Sequence, residues 1–372
     1  MMPFHQGDPP KGEKPTLIHW LPSSSLGGIE MAALTLMQTA VRVRHVVAVG
    51  DADGPAVDMW RDAGAEVLLI KGWKSPLGIT WAHHWKQFVK ERRGLPLIAW
   101  SPTRLPQMLA PLHEEDRCII HLGNVGGITN RQRWQSQAMR MIYRPACRPK
   151  LIACSHAVAV SLEAEGIFAG LPVAVVSNPV RAAFYELGEK RPKLVVAPKV
   201  WGMVARLDGL KDHRNLIEAV RMLPENLEFR LELVGDGDLA EQLNQQVIAA
   251  GLQRRVHFLG AMPRPHEAMR NWQAFVFATT RGEGFGIAVA EAMASGLPCV
   301  LSDLDALKEV AGDSAYYAMP DSPEALREKI LEVISDPHAA GARAEEGRLR
   351  SIDLFSAANF TKRYLSELGL GY

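Results

Sequence analysis

Short, almost continuously apolar runs recur along the chain at residues 16–21, 45–50, 66–70, 96–100, 118–122, 151–155 and 173–177. Their length and lack of alternation predict strands buried on both faces of a parallel sheet. The stretches between them, at 29–39, 55–62, 79–92 and 156–165, are long enough for crossover helices. After a polar, Pro-containing stretch at 180–199 the rhythm restarts. It predicts strands at 200–205, 229–235, 256–260, 274–279 and 298–302, separated by helices near 212–222, 238–250, 265–271 and 285–295. This is repeated βαβ wiring, and it predicts two doubly wound α/β domains joined near 178–199. In such sheets ligands bind beyond the carboxyl ends of the strands, which places a cleft between the domains.

Composition narrows the class. The 372 residues are 47% hydrophobic and 22% charged, ordinary globular usage that excludes a disordered or fibrous chain. Lys and Arg number 42 against 41 Asp and Glu, a net charge of +1 that leaves no whole-protein footprint for nucleic acid. Cys118, Cys147, Cys154 and Cys299 form no C-x-x-C pair and read as buried thiols of a reducing cytoplasm. Residues 6–14 contain no apolar core of a signal peptide, and no apolar run approaches the about 20 residues a membrane-spanning helix needs. The expected location is cytoplasmic, with a peripheral place at the inner face of the membrane left open.

Three stretches carry candidate chemistry. Gly27 and Gly28 lie between the first strand and the first helix, where backbone N–H groups can approach an anion at a positive helix end or simply form a tight turn. The spacing is neither G-x-G-x-x-G nor a P-loop. Arg206 and Lys211 stand five residues apart at a strand's carboxyl end and could converge on a diphosphate, Arg as a fork and Lys as a point charge. In the segment 281–298, Glu283 sits among glycines before a helix and Glu291 falls inside it among apolar and small neighbours. A carboxylate there requires charged or hydroxyl partners, which either a ligand or a structural ion pair would supply. Asp-x-Asp occurs at Asp51/Asp53, Asp236/Asp238 and Asp303/Asp305, where strands give way to loops. There Asp reads as a turn or cap residue before it reads as a metal chelator.

The pattern Glu283-Gly-Phe-Gly-x4-Glu291-Ala-Met-Ala-x-Gly-x-Pro resembles the E-x7-E signature of family 4 retaining glycosyltransferases. The resemblance extends, in order, to Gly27-Gly28-x-Glu30, Arg206-Leu-x3-Lys211, Val234-Gly235-Asp236-Gly237, Phe258-Leu259-Gly260 and the stretch Ser302 to Val310. It implies a GT-B fold, with two Rossmann-like parallel-sheet domains facing across a cleft. The acceptor-side domain would span 1–185, the donor domain 186–355, and a C-terminal helix at 356–372 would pack back on the first domain. It implies transfer of a sugar from a nucleotide diphosphate donor of UDP or GDP type, with retention and without a metal or other cofactor. The acceptor would be a saccharide or lipid-linked glycan, in lipopolysaccharide or polysaccharide assembly.

Carried over by position, Arg206 and Lys211 would neutralise the diphosphate and the departing nucleotide. Glu291 would accept from ribose hydroxyls. Glu283, Gly284 and the amides of Phe285, Gly286 and Ile287 would hold sugar hydroxyls and phosphate, with Gly27, Gly28, Gly235 and Leu259 completing the donor site. His121, at a strand end where the family often carries a histidine, would hydrogen-bond the donor sugar. Two departures stand out: Ala205 replaces the Gly usual before the Arg, and 302–310 lacks the Gly-Gly-x-x-E form. A silent sugar-nucleotide-binding subunit or a GT-B-like epimerase are the alternative readings.

One charged stretch stands apart. Residues 118–162 contain no Asp or Glu, yet hold Arg131, Arg133, Arg140, Arg144, Arg148 and Lys150 among Trp134, Met139, Ile142 and Tyr143. This pattern suits an interfacial helix at an anionic membrane or an ordinary solvated helix face.

Overall fold

A computed structural model describes residues 14–74, 78–123, 147–165, 170–280 and 282–371. Two all-parallel sheets carry the chain. In the first, β1 (Thr16–Leu21), β2 (Arg44–Val49), β3 (Glu66–Leu69), β4 (Leu97–Ala99), β5 (Cys118–Leu122), β6 (Lys150–Ala153) and β7 (Val173–Val175) run in the order β3-β2-β1-β4-β5-β6-β7. In the second, β8 (Val200–Val204), β9 (Arg230–Val234), β10 (Val256–Gly260), β11 (Ala274–Phe277), β12 (Cys299–Ser302) and β13 (Tyr316–Ala318) run β10-β9-β8-β11-β12-β13. Both are doubly wound, and strand order reverses between β1 and β4 and between β8 and β11. Ligands of such sheets bind at that reversal.

The apolar runs become strands because both faces are covered. Every residue of β4, β5, β11 and β12 is buried. Tryptophans fill one face of the first sheet, where Trp20 lies 5.0 Å from Trp81 and 5.2 Å from Trp85 between ring centroids. The four described cysteines are free and buried.

The structure differs from the sequence reading in three places. The 180–199 joint contains a helix, Ala182–Glu189, whose Gly188 packs where an added Cβ would lie 2.1 Å from the Ala294 carbonyl. The sixth strand of the second sheet, β13, is only three residues long, too short for periodicity to register. Lys150 opens β6 instead of continuing a basic helix, and its ammonium binds the Glu367 carbonyl at 3.0 Å and carboxylate at 3.6 Å. Arg148 is exposed, and Arg131, Arg133, Arg140 and Arg144 lie outside the described residues.

The chain ends by crossing back. After the long helix Pro337–Leu354 on the second domain, the Phe355 carbonyl accepts from the Val180 amide at 2.9 Å. The helix Ala357–Glu367 then lies on the helix Gly28–Thr39 of the first domain, joined by the Thr39 and Thr361 hydroxyls and by Arg117 donating to the Leu368 carbonyl at 2.9 Å. It buries Phe360, Tyr364 and Leu365 against the first sheet's core. No described helix is long and apolar enough to cross a membrane.

Phe360 is 2% exposed with Tyr364 4.6 Å away between ring centroids, so Phe360→Ala should cost about 3–5 kcal/mol of stability. Urea denaturation will measure it. An unchanged midpoint would mean that the last helix contributes nothing to the first domain.

Candidate donor site between the two sheets

The loops after β8 and β11, at the reversal point of the second sheet, are sewn together. The Leu210 carbonyl accepts from the Thr280 amide and the Thr279 hydroxyl, both at 2.9 Å, and the Asp212 amide donates to Ala278 at 3.0 Å. Gly235 closes the other side. At φ +148° an added Cβ there would meet the Ala205 carbonyl at 1.8 Å, so only glycine lets β9 end against the loop carrying Arg206. The Gly235 amide in turn binds the Gly260 carbonyl at 2.9 Å, which sets the half-exposed Leu259 on the same rim.

Within this frame the two cations differ. Arg206 keeps 75% of its side chain exposed and, among the described residues, is engaged by Asp208 at 3.6 Å. Lys211 is mostly enclosed, ion-paired with Glu283 and set 4.9 Å above the Phe277 ring. Glu283 spends its second oxygen, Oε1, on the backbone amides of Gly284 (3.1 Å), Phe285 (3.2 Å) and Gly286 (2.9 Å). Three amides converge because Gly286 adopts a left-handed conformation, φ +82°, where a Cβ would press Leu307 at 2.7 Å. Burial pushes the Glu283 carboxyl up, but the Lys211 charge and the hydrogen bonds outweigh it and hold the group below its usual value. The amides assigned from sequence to a donor are thus taken, at 285 and 286, by the protein's own carboxylate.

Glu291 lies in the helix Ile287–Ala294, where burial covers all but 7% of its side chain. Its partner is Arg181, whose Nε and Nη2 both donate to Oε1, at 3.1 and 2.8 Å. Burial raises its carboxyl pKa and Arg181 lowers it less, so Glu291 titrates above the usual range. The two glutamates are therefore shifted in opposite directions.

The first domain meets this site directly. An added Cβ on Gly28 would lie 2.5 Å from Ile287 Cδ1, so the glycine turn and the 287–294 helix touch. An added Cβ on Gly27 would strike the Glu30 carboxylate at 2.5 Å. The Ser155 hydroxyl donates to the Gly284 carbonyl at 2.6 Å. Glu309, from the helix Asp305–Ala311, accepts from the His156 and Ala157 amides at 2.8 and 3.2 Å, and so caps the helix His156–Glu165 of the other domain. His121, the penultimate residue of β5, lies beside Gly123, fully enclosed, with burial lowering its pKa to about 4. It is therefore neutral near pH 7.

The structure thus gathers Gly28, His121, Lys211, Glu283, Gly284, Gly286, Ile287 and Glu291 where the sheets meet, with Arg206, Gly235 and Leu259 on the rim. Sequence reasoning missed Arg181, Ser155 and Tyr364. Of these, Arg181 carried a faint signal as the first basic residue of the joint, two positions after Asn178-Pro179. Glu309 lay inside the 302–310 motif without a role. The Asp-x-Asp carboxylates serve locally: Asp51 pairs with Lys74 at 2.9 Å, Asp236 accepts from the Gly237 amide at 2.8 Å, and Asp303 pairs with Lys308 at 2.5 Å. Among the described residues no cluster of three His, Cys, Asp or Glu could hold a metal.

Comparison with known proteins points the same way. Residues 188–350 match the family model described as glycosyl transferases group 1. The chain is 30% identical to a lipopolysaccharide core biosynthesis mannosyltransferase of Rhizobium leguminosarum over 236 residues, 60% of this chain and 65% of that one. It is 36% identical to a phosphatidyl-myo-inositol mannosyltransferase of Mycobacterium leprae over 157 residues, 38% of each. The chain thus spans about a third to just under two thirds of the curated relatives it matches. Anabaena Alr3699/HepE, solved in complex with UDP, superposes with a TM-score of 0.79 at 20% identity, covering 95% of this chain and 99% of that one. The fold is therefore the two-domain GT-B arrangement.

Because the Glu283 carboxyl is held below the 4.5 of an ordinary glutamate, it stabilises the fold above that pH and loses its contribution as pH falls through the lowered native value. Glu283→Gln should cost about 3 kcal/mol at neutral pH, the gap to wild type narrowing below pH 4.5. Urea titrations across pH would show it. A gap that does not change with pH would contradict this assignment.

Proposed function

We propose that the chain is a glycosyltransferase that moves a sugar from a nucleotide diphosphate donor to a saccharide or lipid-linked glycan acceptor, as in lipopolysaccharide or polysaccharide assembly. The observation that carries the reading is an exposed Arg206 and an enclosed Lys211 on the loop after β8, which is bound to the loop after β11 at the reversal point of the second sheet. Two fixed cations there suit a diphosphate whose charge grows as the glycosidic bond breaks. The mannosyltransferase relatives and the UDP-bound structural neighbour support the substrate class.

In this reading the donor enters along Gly235 and Leu259. Its diphosphate lies against Arg206 and Lys211, and its ribose hydroxyls donate to Glu291 beside Arg181. The donor sugar extends past Glu283 and Ile287 towards Gly28 and the neutral His121, which offers a hydrogen bond and no charge. The bond from anomeric carbon to diphosphate oxygen breaks while the acceptor oxygen joins that carbon on the same face, its proton passing to the departing phosphate. Anomeric configuration is retained. Metal independence rests on Arg206 and Lys211 supplying the charge, with the Asp-x-Asp carboxylates already engaged nearby.

The test is a panel of sugar nucleotides screened by thermal shift, since a bound ligand stabilises the fold in proportion to its occupancy, followed by transfer assays with the donor found. Arg206→Ala and Lys211→Ala should each lower kcat about a hundredfold, with Kd for the nucleoside diphosphate rising far less. Activity should survive EDTA, and the product should keep the donor's anomeric configuration by NMR. A raised Kd for the nucleoside diphosphate with kcat unchanged would assign the cations to binding alone. A strict Mn²⁺ or Mg²⁺ requirement would reopen the aspartate pairs.

The acid-free basic run suits presentation of a lipid-linked acceptor at an anionic surface, each cation there contributing about 1 kcal/mol. Arg140→Glu combined with Arg144→Glu should weaken salt-sensitive flotation on anionic vesicles and spare activity on short soluble acceptors. Equal recovery of wild type on neutral and anionic vesicles would make the run an ordinary domain surface.

A further inference from the structure

His121 holds a buried polar atom to spare at the carboxyl end of β5. Its Nδ1 lies 2.6 Å from the Tyr364 hydroxyl, whereas its Nε2, fully buried, has no hydrogen-bond partner among the described residues. Nε2 is 3.7 Å from where a Cβ on Gly123 would stand, and the same position is 3.6 Å from Ile29 Cδ1. It therefore lies beside Gly123, in the neighbourhood of Ile29 in the helix that starts at Gly28.

A neutral imidazole carries one proton, and its partner decides where. The Tyr364 hydroxyl, itself buried, has His121 Nδ1 as its one acceptor among the described residues. If Nδ1 held the imidazole proton, the phenol would have nowhere to place its own. With the proton on Nδ1, both the phenol O–H and the bare Nε2 would be buried without a partner, whereas with the phenol donating to Nδ1 only the Nε2–H is; the second arrangement leaves fewer groups unpaired, so the imidazole proton sits on Nε2.

The ring of Tyr364 is itself fixed. It stacks on Trp100 at 5.4 Å and 19°. Trp100 donates from Nε1 to His19 Nδ1 at 3.0 Å, His19 Nε2 is 2.9 Å from His45 Nδ1, and His45 Nε2 is 3.2 Å from the Ala40 carbonyl. Starting from the indole N–H, every proton in this chain points the same way, ending on a backbone oxygen. The platform beneath Tyr364 therefore has one consistent protonation pattern and no rotational freedom.

We propose that Tyr364, from the last helix of the chain, is a positioning residue that fixes His121 as its Nε2–H tautomer and so presents a hydrogen-bond donor to an oxygen of the sugar donor. The part that concerns the sugar rests on the transferase reading above; the tautomer does not. The last helix thereby completes a site to which it contributes no contacting atom. An oxygen acceptor is selected, because a hydroxyl or ring oxygen can receive from Nε2–H and an N–H or ammonium cannot.

Long-range ¹H–¹⁵N correlation of the histidine-labelled full chain will read the tautomer, His121 being assigned among the 12 histidines by its loss in His121→Asn. Wild type should show a protonated Nε2 and an unprotonated Nδ1 at neutral pH, and Tyr364→Phe should shift His121 to a mixture. An Nδ1–H signal in wild type, or an unchanged pure Nε2–H pattern in Tyr364→Phe, overturns the proposal. With the donor identified, Tyr364→Phe should lower kcat/KM roughly fivefold without changing Kd for the nucleoside diphosphate, and should add nothing in a His121→Asn background. A penalty that persists in that background overturns the positioning role. The tautomer read in the wild-type spectrum stands whether or not any sugar nucleotide is turned over.

Discussion

Glu283 is held almost out of water between an ammonium and three backbone amides, and the geometry around it follows from satisfying that one carboxylate. One oxygen takes the amides of 284–286, which fixes the turn into the helix Ile287–Ala294; the other takes Lys211, which fixes the loop after β8. The left-handed Gly286 exists to turn those amides inward. An unpartnered carboxylate at this depth would be strongly unfavourable, so the loops after β8 and β11 can move only together.

Glu291 shows what the opposite balance does. It is as deeply placed as Glu283, yet its partners are two N–H groups of one guanidinium, both on the same oxygen. Burial therefore prevails and its carboxyl is raised where that of Glu283 is lowered. A carboxylate short of donors in a folded protein is poised to accept more of them, and ribose hydroxyls would provide two. The contrast distinguishes the pair: Glu283 is consumed in holding the protein's own loops, whereas both Arg181 bonds to Glu291 fall on one of its oxygens.

Much of this was legible in the sequence because it is local. Near-continuous apolar runs located twelve of the thirteen strands, and the order of motifs from Gly27 to Val310 located the site, since strand ends and helix starts are adjacent in the chain. What escaped is what depends on distant partners. Arg181 and Glu291 are 110 residues apart, and His121 and Tyr364 are 243 apart. Nothing in the periodicity around either member announces the other. The amides at 285 and 286 were misjudged for the converse reason: a glycine-rich turn before a helix looks open to an anion, and only the side-chain rotamer of Glu283 reveals that it is filled from within. The three-residue β13 and the short helix in the joint fell below the length at which an apolar pattern is distinguishable from chance.

Among the described residues the contacts between the two sheets' carboxyl ends are mostly polar. Ser155 reaches a carbonyl, Glu309 caps a helix through two amides, and Arg181 reaches a carboxylate, while the apolar touch of Gly28 on Ile287 is a single methyl against a backbone. Polar bonds to backbone exchange readily with water, and small polar interfaces are those across which domains move. The helix Ala357–Glu367 is different. It binds the first domain through buried Phe360, Tyr364 and Leu365 after a chain that has just packed along the second domain. The molecule is thus tied firmly at its crossing segments, near Val180 and Phe355, and lightly at the site. A hinge placed there lets the donor loops separate from Gly28 and His121 without disturbing either core, and Tyr364 travels with the histidine it orients.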